Sequence, residues 1–148
     1  MDDAQFRMLE LSQKGYYCSQ ILITLFLEAQ GKQDPDLVRA MAGLALGAGT
    51  ASGTCGALEG GACAIGLFVG KGQDSEEGSE ELWLMLAELW EWFENDVGAH
   101  YGGVRCGDIV TDGVQQRQRC GSIVAQTYSK VLQILIEHGI DPTEPRSG

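Results

Sequence analysis

The chain has 148 residues, 44% of them apolar, with 21 glycines, 3 prolines and a formal charge of −11. That suits one acidic domain over residues 1–148 with a sizeable core. Twenty-one acidic residues against ten basic ones argue against a nucleic-acid groove, whose affinity comes from Lys and Arg. The Met-Asp-Asp-Ala-Gln start lacks a signal-peptide pattern, so a reducing cytoplasm is the expected compartment, where five cysteines are not expected to form structural disulfides.

No proline interrupts residues 36–141, which favours helices. Residues 4–14 carry Phe6, Leu9 and Leu11 among polar residues, and Gly15 ends this short amphipathic helix. A second helix is expected over 16–30, with Cys18, Leu22, Leu25 and Ala29 on one inward stripe. Asp34-Pro35 opens a third over 35–46, with Asp as N-cap and Pro at the first helical position.

Residues 40–58 hold no charge and are long enough to span a membrane. Five glycines with Ser and Thr, and few large aliphatic residues, mark the segment instead as a buried, tightly packed connection. Its glycine-rich run ends at Thr54, the expected cap of a fourth helix over 55–69, on which Gly56, Gly60, Cys63 and Gly70 share a face. Such a face lets another backbone come close, so this helix is expected to be central.

Residues 72–79 read as an exposed acidic linker. The fifth helix, 79–97, places Leu82, Leu86, Leu89, Phe93 and Val97 on one stripe and Glu77, Glu81, Glu88 and Glu91 opposite. Trp83, Trp90 and Trp92 widen its apolar face beyond one seam, which calls for broad cover by neighbours or by a second copy in a homodimer. Residues 98–116 look irregular. A sixth helix over 117–138 carries Cys120, Val124, Val131 and Leu135 on one stripe and closes at Gly139, leaving 139–148 as a tail. The expected fold is all-α, a compact bundle of five to six helices with a glycine-rich loop leading into a central one.

No Cys-x-x-Cys occurs, and without Cys-x-x-Cys-His a c-type haem is excluded. Any cysteine site must be assembled by folding. Cys18, Cys55 and Cys120 each fall in the first turn of an expected helix, where free amides and the helix dipole favour a thiolate. Cys55 has the strongest local case, so a lowered thiol pKa is expected there, opposed by the charge of Glu59. Arg105, Arg117 and Arg119 flank Cys106 and Cys120, and positive neighbours also favour thiolates. A free cysteine equally serves as a small buried apolar side chain, the expected role of Cys63. His100 and His138 read as a loop residue and a helix C-terminal cation.

The run Gly53-Thr-Cys-Gly-Ala-Leu-Glu-Gly60, preceded by Gly15-Tyr-Tyr-Cys-Ser-Gln20 and followed by Arg105-Cys106 and Arg119-Cys120, resembles the C_GCAxxG_C_C family of small bacterial and archaeal helical proteins assigned to redox work. The resemblance implies a four-cysteine set, Cys18, Cys55, Cys106 and Cys120, with Cys63 outside it. The family is also similar to the cysteine-bearing domain of split-Soret cytochromes, which implies an iron-sulfur cluster or another thiolate-bound metal used for electron transfer or sensing, with an unspecified redox partner. A thiol-disulfide oxidoreductase with Cys55 as the catalytic nucleophile, and a non-enzymatic helical binding module, remain the alternatives.

Overall fold

The computed structural model describes residues 1–111 and 116–146, with side chains described for 1–111 and 119–146. The chain is all-α. Helix α1 spans Asp3–Gln13, α2 Cys18–Ala29, α3 Pro35–Met41, α4 Gly56–Val69, α5 Glu81–Phe93, α6 Cys106–Ile109 and α7 Gln116–Glu137. Among the described residues the single extended pairing is an isolated antiparallel bridge between Thr54 and Arg105.

Local chemistry sets most boundaries. Asp2 caps α1 in a capping box with Gln5. At its other end Gly15, at φ +95°, closes a Schellman turn in which its N–H reaches Ser12 O and the Tyr16 N–H reaches Leu11 O, both at 3.1 Å. Asp34 caps α3 through the Leu37 N–H, with Pro35 at the first position. This helix stops at Met41 rather than at residue 46, passing through a 3-10 turn, Ala42–Leu44, into a short turn at Ala45–Ala48 whose Leu46 and Gly47 are left-handed. Helix α5 likewise ends at Phe93, where a π-helical turn, Glu94–Gly98, replaces its expected last turn. A Cβ on Gly98 would lie 3.2 Å from Val104 Cγ1 and 3.6 Å from Gly103 O, so the Val104 side chain and the Gly103 backbone pack against this widened turn.

Helix α4 is the centre. A Cβ on Gly60 would meet Ser19 Cα of α2 at 2.9 Å, and one on Gly61 would meet Thr127 and Val131 of α7 and Leu89 of α5 at 2.9–3.3 Å. The core around it is fully closed, with Leu22, Phe26, Leu58, Ile65, Leu89, Phe93 and Leu135 at 0% exposure. Phe26 ties three helices, its ring packing on Phe68 at 6.2 Å and Tyr128 at 5.1 Å. No described helix is long and apolar enough to cross a membrane.

Three surface expectations gain detail. The apolar face of α5 is broader than its cover, since Trp83 and Leu84 remain 67% and 60% exposed while Trp90 and Trp92 pack against the core. The carboxylate stripe of α5 is not purely solvated, because His138 turns its ring onto it, Nε2 3.1 Å from Glu88 and Nδ1 3.8 Å from Glu81. The linker after α4 is organised by Glu76, which accepts the N–H groups of Gly72 and Gln73 at 2.8 and 2.7 Å and pairs with Arg146 of the tail at 2.7 Å.

Candidate functional site: four cysteines, three at helix starts

Each cysteine of the set arrives on its own element. Cys18 is the first residue of α2 and Cys106 the first of α6. Cys55 is itself the N-cap of α4; Thr54, expected as the cap, instead makes the bridge to Arg105. Cys120 lies in the second turn of α7, so the three helix starts are those of Cys18, Cys55 and Cys106. Cys106 was not expected there, because a four-residue helix leaves no periodicity in a sequence. Its signal is Asp108, whose Oδ2 accepts the Arg105 N–H at 3.2 Å, a cap spaced three residues along.

Two short stretches join Cys55 to Cys106. The Cys55 N–H donates to Val104 O at 2.8 Å, the Cys106 N–H to Gly53 O at 3.0 Å and the Gly107 N–H to Ala51 O at 2.8 Å. Cys18 is joined through glycine. A Cβ on Gly56 would lie 2.6 Å from Cys18 Sγ and 3.2 Å from Leu44 O, so the Cys18 sulfur rests on the backbone beside Cys55. Gly60, one turn on, gives the same clearance to Ser19. The spacing Cys-Gly-Ala-x-x-Gly therefore has a physical reading: its two glycines let the start of α2 lie directly on α4.

Burial raises all five thiols. Burial pushes Cys18 up to about 12, with further upward pressure from Cys55, Cys120 and Cys106 and relief from the Ser19 N–H. Burial likewise takes Cys120 up to about 11, aided by Cys55 and Cys106. Burial raises Cys55 as well, against the amides of Ala57 and Leu58 that point at its sulfur, with Cys106 and Glu59 adding to the rise. Cys106 is raised by burial alone. Cys63 responds to burial and Glu59 and to no other cysteine. The expected lowered pKa at Cys55 is thus overturned: desolvation exceeds what two amides supply.

Arg119 reaches the end of α6 and an aromatic ring. Arg119 Nη1 donates to Ile109 O at 3.0 Å and its guanidinium sits 5.7 Å from the centroid of the Tyr101 ring, while Arg105 is exposed. The side chain of Arg117 lies outside the described residues. All five cysteines are free thiols. Among the described residues no three His, Cys, Asp or Glu side chains stand at spacing ready to hold a metal ion.

An all-α chain with four sheltered cysteines, three of them at helix starts, defines a class of cysteine-bearing protein with no haem-attachment motif. The chain belongs to the C_GCAxxG_C_C family, described as "Putative redox-active protein (C_GCAxxG_C_C)", whose model matches residues 16–134. No curated protein and no solved structure matches it.

Proposed function

We propose that Cys18, Cys55, Cys106 and Cys120 together hold a thiolate-bound metal or iron-sulfur cluster that this protein uses for electron transfer or sensing. The observation that carries the reading is geometric: the Cys18 sulfur rests against Gly56 beside Cys55 and backbone hydrogen bonds tie the starts at Cys55 and Cys106 together, with Cys120 close enough to push Cys18 up and Cys63 outside that set. Four sulfurs form a donor set suited to zinc or an iron-sulfur centre. The fit lies in this donor set and not in preformed spacing.

The raised pKa values support the same reading. A sheltered thiol that titrates near 11 or 12 is a poor free nucleophile at neutral pH. A bound cation deprotonates a coordinating thiol outright. The amides of Ser19, Ala57 and Leu58 then offset part of the accumulated negative charge. When bound, an iron-sulfur cluster would supply one-electron transfer and zinc a structural anchor.

The test is iron, zinc and acid-labile sulfide analysis of protein purified without oxygen, together with its visible spectrum. Stoichiometric metal with a thiolate charge-transfer band is expected. Metal-free, colourless protein overturns the reading.

A second reading rests on Cys55 alone, the thiol to which the Ala57 and Leu58 amides both point. As a thiolate it would pair with Cys106, across the bridge, in a disulfide, two thiols giving up two protons and two electrons to an oxidised disulfide or quinone partner. Metal-free protein that loses two titratable thiols on oxidation, and regains them on reduction, would favour this chemistry.

A further inference from the structure

We infer that Gly47 positions the Cys106 thiol, acting through a backbone contact with Gly53; what that position serves rests on the four-cysteine reading above. Leu46, Gly47, Ala48 and Gly49 follow one another at φ 54°, 61°, 57° and 79°, and Ala51 is also left-handed at 62°. Leu46, Ala48 and Ala51 carry a Cβ in this region, where L-residues are strained, and such strain concentrates at functional sites. Positive φ alone therefore does not demand glycine at position 47.

Space does. A Cβ on Gly47 would lie 2.8 Å from Gly53 O and 2.9 Å from Cys106 Cβ, and one on Gly53 would lie 2.6 Å from Gly47 O. The Gly53 N–H donates to Gly47 O at 3.1 Å, Gly53 O accepts the Cys106 N–H at 3.0 Å and Ala51 O accepts the Gly107 N–H at 2.8 Å. Residues 47–53 thus form a saddle on which the start of α6 rests, and Gly47 lies against both Gly53 and the cysteine. Gly49 supplies the contrast, because it shares the backbone demand at φ +79° but a Cβ there would meet nothing within 4 Å.

The test compares Gly47→Ala with Gly49→Ala by measuring, in reduced metal-free protein, the iodoacetamide alkylation rate of each cysteine by peptide mass spectrometry. Gly47→Ala is expected to change the Cys106 rate about fivefold or more and leave Cys63 within about twofold, while Gly49→Ala leaves every cysteine within about twofold. An equal shift of Cys106 in both variants, a uniform shift of all five cysteines, or no shift overturns the inference. If Gly47→Ala does not fold, amide exchange of the wild-type protein decides. Matched protection of the Gly53 and Cys106 N–H groups supports the saddle, and exchange of Cys106 more than about tenfold faster than Gly53 contradicts it. Because these readouts need no metal, a protein that binds none would sink the four-cysteine reading and leave this result standing.

Discussion

Thr54 and Arg105 face each other across an isolated antiparallel bridge, and the next residue on each side is a cysteine. The bridge brings Cys55 and Cys106, 51 positions apart in the chain, to adjoining helix starts held by backbone hydrogen bonds from Cys55 to Val104 and from Cys106 to Gly53. A backbone tie of this kind fixes two sulfur-bearing residues without spending a side chain on it.

The cap of α6 is the accessible handle on that tie. Asp108→Ala removes the acceptor of the Arg105 N–H and is expected to lower stability by about 1 kcal/mol, the usual worth of a cap. It should also speed alkylation of Cys106 relative to Cys18. Thermal unfolding and peptide mass spectrometry check the two effects.

Two glycines of α4 should respond in opposite directions. Gly60→Ala drives a Cβ to 2.9 Å from Ser19 Cα, a backbone atom that cannot swing aside, so a loss of about 1–3 kcal/mol is expected. A Cβ at Gly66 meets nothing within 4 Å. Gly66→Ala should therefore gain about 0.5–1 kcal/mol from the stiffer helix. Denaturant midpoints of the two variants make the comparison.

The sheltered thiols predict a stability that falls with alkali. Cys18 is raised from 9.0 to about 12 and Cys120 from 9.0 to about 11, so the folded protein holds these protons more tightly than the unfolded chain. The resulting contribution is complete below about pH 9 and is lost as pH rises from there through the folded values. Melting temperatures of metal-free protein should drop between pH 8.5 and about 10.5, and the drop should be shallower in Cys18→Ser. An equal slope in both proteins would contradict this.

Metal binding should couple to the same titrations. Because ligating thiols give up their protons, zinc added to reduced metal-free protein is expected to release protons and raise the melting temperature, with affinity falling as pH is lowered. Calorimetry in two buffers of different ionisation enthalpy counts the protons. A count of zero, or no thermal shift, contradicts thiolate coordination.

Much of the helical plan was legible in the sequence because caps and spacing are local. Asp34-Pro35, Gly15 and the Leu89–Phe93–Val97 stripe each declare themselves within a few residues. The left-handed segment around Gly47 was not legible, since Leu46 and Ala48 are ordinary helix formers whose conformation is imposed by what rests on them. The grouping of Cys18, Cys55, Cys106 and Cys120 came from the family pattern, while the reason for Gly56 and Gly60 emerges only when α2 is laid against α4. Desolvation of Cys55 also escaped sequence reasoning, because a local reading counts the nearby amides but not the apolar atoms that displace water.

On the proposed function, four cysteines make one site and Cys63 lies outside it. Bound metal per chain, measured in anaerobically prepared wild type and in the five single Cys→Ser variants, tests it most directly. Wild-type metal is expected in Cys63→Ser, with a marked loss in each of Cys18→Ser, Cys55→Ser, Cys106→Ser and Cys120→Ser. Metal absent from the wild type, or retained in full when any of those four is replaced, would contradict it.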